Sequence, residues 1–257
     1  MPSWHKLSPL KKEFAWPKKS DSSRKLKEEI SSMQVGWHYN WTGLWKETEI
    51  KNALFVPMVW GKAKWSTDPI KKLKVSKSKM ATSPLLGFNE PDGKKQANMS
   101  VEEALALWPI LEKTNRRLGS PATVNPKNEW MQSFMKQAKA KNLRVDFICV
   151  HWDGGRNADN FIEHLKSIHT LYGKPIWITE FAIADWSAKS IKDNKHSPED
   201  VLSFMKELLP KLEQLDFVER YAWFSSAPDH ANLGPSALFD KEGKATKLGE
   251  FYAGHQN

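Results

Sequence analysis

Two glutamates close apolar runs in this sequence, Leu85-Leu-Gly-Phe-Asn-Glu90 and Pro175-Ile-Trp-Ile-Thr-Glu180. A carboxylate straight after Phe-Asn or Ile-Thr, with Pro91 or Phe181 next, is hard to place in bulk water, because its neighbours are core residues. One reading makes each a strand-end carboxylate satisfied by local hydrogen bonds. The other is chemical. If both runs are strands of one sheet and both glutamates project over the same end, the two carboxyl groups face each other. At about 5 to 5.5 Å apart, such a pair performs a double displacement at a sugar's anomeric carbon, one attacking and the other shuttling the proton. The attacking group must be ionised, while its charge helps its partner keep a proton until the leaving group takes it.

The elements needed to hold such a pair recur along the chain. Short apolar runs at 13–16, 35–41, 53–60, 85–90, 118–123, 145–152, 175–182 and 218–225 alternate with segments of helical pattern. Several runs, Val145-to-Trp152 and Pro175-to-Ala182 among them, are apolar at consecutive positions, as expected of parallel strands covered on both faces. Ser100-Val-Glu-Glu103 reads as a capping box, and Ser197-Pro198 as a cap followed by a first-turn proline. Phe161, Ile162, Leu165, Ile168 and Leu171 follow helical spacing, and Gly173 closes that helix. Eight β/α units in 257 residues predict an α/β chain folded as a (β/α)8 TIM barrel, with a doubly wound open sheet as the alternative. No GxGxxG or Walker loop follows any strand, which counts against a nucleotide-binding open sheet. A single domain spanning 1–257 is expected, with its barrel core at about 13–252. Glu90 and Glu180 then end strands four and seven, and the Pro/Gly-rich stretch 227–243 closes part of the same face.

Thirteen tryptophans against four tyrosines is a skew that core filling explains poorly, since a buried indole N–H needs a partner. Flat aromatic faces suit sugar rings or nucleobases. Trp41, Trp60, Trp152, Trp186 and Trp223, at or just beyond strand ends, are the candidate stacking platforms. Trp108 and Trp130 sit within predicted helices and read as packing residues, and Trp45 and Trp65 are open to either role. The net charge of +9 is concentrated at the front, with net +10 in residues 1–80 and −1 in the remainder. The lysine-dense segment 62–79 reads as a solvated face, and no zinc finger or RNA-binding aromatic signature accompanies it, so nucleic acid is not an expected partner. Cys149, the one cysteine, cannot form an intramolecular disulfide. No Cys/His cluster has metal-ligand spacing, no aspartate cluster resembles a calcium loop, and no apolar run approaches the roughly 18 residues of a membrane span. Neither metal, cofactor nor membrane is expected.

Asn89-Glu90-Pro91, Ile178-Thr179-Glu180-Phe181, the strand end His151-Trp152, Trp60 closing Val56-Pro-Met-Val-Trp, and Trp37-His-Tyr-Asn-Trp41 together resemble glycoside hydrolase family 128, β-1,3-glucanases of the clan A barrel type. The likeness runs from about Glu13 to about Tyr252. It implies Glu90 as general acid/base, Glu180 as nucleophile, Asn89 as donor to the sugar 2-hydroxyl, and His151 as a neighbour of the nucleophile. It also implies β-1,3-glucan polysaccharide or oligosaccharides as substrate and action outside the cell with a leader absent from this sequence, a cytoplasmic place being the alternative; endo action and a monomer are expected. A glucan-binding barrel without catalysis, or a hydrolase of another β-linked polysaccharide, are the alternatives. Asp92, Asp153 and Asp185 follow strand ends and read as loop caps ahead of sugar ligands.

Overall fold

The computed structural model describes residues 11–15, 23–44, 50, 52–72 and 83–255. Trp45 and the lysines at 74, 77 and 79 lie outside the described residues. The chain has the expected α/β fold. Among the described residues, six parallel strands form one sheet: β1 (Lys12–Ala15), β2 (Trp37–Tyr39), β3 (Leu54–Phe55), β4 (Ile148–Gly154), β5 (Ile176–Ile183) and β6 (Val218–Phe224), in the order β3-β2-β1-β6-β5-β4. The helices are α1 (Ser23–Ser32), α2 (Lys64–Lys72), α3 (Val101–Glu112), α4 (Glu129–Ala140), α5 (Ala158–Tyr172), α6 (Pro198–Glu213) and α7 (Lys247–Gly254).

Local chemistry sets the helix ends where the sequence placed them. Ser100 accepts the N–H of Glu103 while the Glu103 carboxylate accepts the N–H of Ser100, and Ser197 with Asp200 repeats the arrangement at the start of α6. Gly173 ends α5 at φ +61°, a left-handed backbone that costs glycine least. Trp108 and Trp130 are packing residues as expected. Their indoles donate to Arg144 O and Met99 O, and both stack or edge against Phe134.

The expected strands at 85–90 and 118–123 differ from the rest. They join their neighbours through isolated parallel bridges, Met58 to Leu86, Leu85 to Leu118, Asn89 to Ala122 and Gly119 to Phe147, instead of continuous ladders. Proline and glycine account for this. Pro121 has no N–H to give, and the backbone at Gly87 lies so near 120 that a Cβ there would sit 2.7 Å from Ser120 O. A closed eight-strand ladder is therefore not what these residues form.

Alternation along the strands divides the core into two layers. Ile148, Val150, Ile176, Ile178, Tyr221 and Trp223 pack outward against α5 and α6. Trp37, Tyr39, Leu86, Phe147, Cys149, Trp177 and Ala222 make the inner layer. Its polar plug is Arg220, whose guanidinium lies 4.7 Å from the Trp177 ring and 5.6 Å from the Trp37 ring.

Candidate active site

Above the inner layer opens a cavity of about 520 Å³, lined by Trp41, Trp60, Asn89, Glu90, Gln96, Val124, His151, Asp153, Glu180, Trp186, Phe224 and Leu233. Seven of the nine residues singled out from the sequence meet here. Trp152 and Trp223 do not, and the expectation that they are stacking platforms is corrected by strand parity. On β4, His151 and Asp153 face the cavity, so Trp152 between them points outward and stacks on Phe161 at 4.6 Å. On β6, Ala222 is an inner residue, so Trp223 turns outward, fully buried, with its indole donating to Ser236 O. Its neighbour Phe224 takes the cavity position.

Glu180 reaches the cavity through an irregularity. Strict alternation from Ile176 and Ile178 would turn residue 180 outward with them. The β4–β5 register slips, Val150 pairing with Ile178 but His151 with Glu180, and the extra residue, Thr179, transfers the glutamate to the inner face. Glu90 arrives by another irregularity. It and Trp41 adopt left-handed φ values of +41° and +56°, conformations that cost non-glycine residues energy and persist where the surroundings enforce them. At Glu90 the enforcing bond is its N–H to Ala122 O, and at Asn89 the N–H to Trp60 O.

The two carboxylates share one imidazole. His151 Nδ1 lies 3.0 Å from Glu90 Oε1, and its Nε2 lies 3.4 Å from Glu180 Oε1, an ion-pair contact outside hydrogen-bond geometry. Glu180 Oε1 also accepts from Trp41 Nε1 at 2.8 Å and from the Tyr39 hydroxyl at 3.2 Å. Burial alone would strip His151 of its charge, but Glu180, Glu90 and Asp153 around it outweigh burial and push its pKa up to about 9. Burial raises the Glu180 pKa, opposed by His151, Trp41 and Tyr39 and assisted by Glu90. Burial, with Glu180 and Glu90 nearby, also pushes Asp153 up to about 7, against the pull of His151.

Sequence reasoning undervalued three of these residues. Tyr39 sits two positions before Trp41 on the inner face of β2, and Phe224 two beyond Ala222. The three aspartates part company. Asp92 accepts from Val124 N and Asn128 Nδ2, and Asp185 from Ser187 and Lys195, so both are loop caps as expected. Asp153 instead lines the cavity, and its Oδ1 is buried without a hydrogen-bond partner, as is Asn89 Oδ1. Of the other tryptophans, Trp65 is 55% exposed and lies beside Trp60, ring centroids 5.6 Å apart. Leu233 brings the 227–243 stretch to the cavity wall. Among the described residues, no group of three His, Cys, Asp or Glu side chains could hold a metal ion, and no helix is long and apolar enough to cross a membrane.

Residues 13–252 match the glycosyl hydrolase catalytic core family. A glutamate-to-glutamine variant of a subgroup I endo-β-1,3-glucanase of glycoside hydrolase family 128 from Amycolatopsis mediterranei, solved with laminarihexaose, is 32% identical. It superposes with a TM-score of 0.80 over 96% of this chain and 100% of that one. A subgroup II endo-β-1,3-glucanase from Sorangium cellulosum is 28% identical with a TM-score of 0.77, over 96% and 99% of the two chains. Alkali-sensitive linkage protein 1 of Schizosaccharomyces pombe is 33% identical over 177 residues, 65% of this chain. The match covers 32% of that protein, so the chain spans about a third of this curated relative.

Proposed function

Because this chain belongs to glycoside hydrolase family 128, we propose that it is a retaining endo-β-1,3-glucanase in which Glu180 is the nucleophile and Glu90 the general acid and base. The observation that carries this reading is the meeting of both carboxylates at opposite nitrogens of one buried imidazole, in a cavity walled by tryptophan.

The contacts of Trp41, Tyr39 and His151 with Glu180 all fall on Oε1. That leaves Oε2 as the attacking atom, with the carboxylate plane fixed by the other oxygen. In the first step Oε2 bonds the anomeric carbon while Glu90 protonates the departing glycosidic oxygen. In the second, Glu90 takes a proton from water, whose oxygen displaces Glu180 and restores the original anomeric configuration. His151, protonated at neutral pH, offsets the charge of Glu180 in the free enzyme. Asn89, with its amide at the cavity wall, serves the 2-hydroxyl of the reacting sugar, a bond that strengthens as positive charge develops on the ring. A pyranose presents C–H groups to the faces of Trp41, Trp60 and Trp186, so a neutral glucan binds through apolar burial and the +9 net charge plays no part in it.

The reading extends to architecture. Bridges Met58–Leu86, Leu85–Leu118 and Gly119–Phe147 run from beside β3 to the start of β4, the two edges of the six-stranded sheet, and support a (β/α)8 barrel in a single domain spanning 1–257. We take the protein to act as a monomer outside the cell.

The test is the Glu180→Gln variant on a soluble β-1,3-glucan. Turnover falls by more than about a thousandfold, while wild type releases mixed oligosaccharides of retained β configuration and leaves β-1,4-glucan uncut. Undiminished hydrolysis by the variant would remove Glu180 from the mechanism.

A further inference from the structure

Asp153 stands apart among the acidic residues of the cavity. Glu90 and Glu180 have work in the proposed hydrolysis, and Asp92 and Asp185 cap loops. Asp153 does neither. Its Oδ1 is buried with no hydrogen-bond partner, and its side chain lines the cavity, so its place in a substrate site calls for an explanation. The polar groups around it are His151 on its own strand, Glu180 on β5 and Glu90 beyond, and none of them hydrogen-bonds that oxygen.

Beside it lies an aromatic face. Trp186, in the loop after β5, is 63% exposed, far more than a ring of its size needs for packing. It is nevertheless held in place, because its indole N–H donates 3.0 Å to the backbone carbonyl of Asp153. The loop behind it is fastened as well. Asn232 donates to Asp185 O and Ala188 O, and Asp185 accepts from Ser187 and from the N–H of Lys195. A flat apolar surface, pre-set by a hydrogen bond to a carboxylate residue that lines the same cavity, has the two components a pyranose requires. One covers the C–H face, and the other hydrogen-bonds an equatorial hydroxyl at the ring's edge.

We infer that Asp153 and Trp186 form one sugar subsite, the indole carrying the ring and the Asp153 carboxyl group hydrogen-bonding one of its hydroxyls. This subsite is built from the end of β4 and the loop after β5. The inference rests on the reading of the cavity as a β-glucan site.

The experiment is calorimetric titration of laminarihexaose into the Glu180→Gln protein and into the same protein carrying a second substitution. With the titration run at about pH 8, above the value of about 7 to which Asp153 is pushed, Asp153→Ala weakens binding about tenfold to hundredfold, the range for losing one hydrogen bond to a charged group. Asp153→Asn, which keeps an acceptor oxygen, recovers part of that loss, a rescue that a merely structural role would not produce. Trp186→Ala combined with Asp153→Ala costs less than the sum of the two, because both act on one ring. Should Asp153→Ala be unstable, Asp153→Leu, of similar volume and without an acceptor, takes its place. An Ala or Leu variant within twofold of its parent overturns the subsite while leaving the glucanase reading intact. Failure of the parent itself to bind laminarihexaose overturns the reading beneath it.

Discussion

The bond from Trp41 to Glu180 has a measurable consequence of definite sign. Glu180 is buried, and burial favours its protonated form. The Trp41 indole, 2.8 Å from Oε1, works the other way, because an N–H donor stabilises the carboxylate and has nothing to offer the acid. Trp41→Phe keeps an aromatic face over the cavity and removes this donor. A hydrogen bond to a charged group contributes about 1.5 to 3 kcal/mol, and about 1.4 kcal/mol is tenfold in proton affinity. Glu180 in the variant should therefore hold its proton about tenfold to a hundredfold more tightly. Since the nucleophile must be ionised, the acidic limb of the kcat/KM profile, which reports the free enzyme, moves to higher pH. On that limb the variant loses activity by the same factor, while on the plateau the deficit is smaller, because the nucleophile gives up its charge in the transition state and the lost bond mattered most in the ground state. Tyr39→Phe should move the limb the same way and less far, as its hydroxyl lies 3.2 Å from Oε1 and is shared with Thr179 O. The assay is initial-rate hydrolysis of a soluble β-1,3-glucan across pH. An acidic limb that stays put in Trp41→Phe, or moves to lower pH, would refute the assignment of Glu180 as the ionised nucleophile held by Trp41.

Three further outcomes follow from the same geometry. His151, with its pKa pushed up to about 9, should show both ring nitrogens protonated at pH 7 by nitrogen-15 NMR. Because that value lies above the ordinary 6.5, its stabilising effect is complete below about pH 6.5 and fades as pH rises through about 9; a neutral tautomer at pH 7 contradicts this. Trp223→Phe should lower stability by about 1 to 3 kcal/mol through the lost bond to Ser236 O and the smaller ring, with KM unchanged, while Trp186→Ala, at a ring 63% exposed, raises KM at nearly constant Tm; thermal melts beside kinetics separate the two. Gly119→Ala should cost about 1 to 3 kcal/mol in urea unfolding, since its Cβ would meet Cys149 Sγ and Phe147 Cε2 at 2.6 Å, both buried; a variant as stable as wild type would mean that the bridge beside Gly119 is looser than the structure shows.

How far the site could be read from sequence depends on which signal marks the inner face. In strands covered on both sides, hydrophobicity says nothing about facing, because every position is apolar. Polar residues within the run do say it. Arg220 cannot point into the outer layer, so Ala222 and Phe224 share its side and Trp223 must turn away. His151 likewise carries Asp153 with it and excludes Trp152. Reading the tryptophans by their place at strand ends, without this count of two, is what misassigned both. The same count fails at Glu180, where Trp177 marks the inner face and alternation would have sent the glutamate outward. No glycine or proline at 178–180 announces the slip that rescues it. Nor does the sequence mark the left-handed turn at Glu90, a conformation usually signalled by glycine or asparagine. Sequence period thus placed the scaffold, while the two glutamates were marked by their chemistry at strand ends, and period alone could not orient them where the backbone departs from regular geometry. The departure has a physical cause. A regular strand offers a side chain one of two opposite directions, whereas two carboxylates that must converge on one imidazole need directions in between, and a bulge or a left-handed residue supplies them at a local energy cost that the surrounding hydrogen bonds offset.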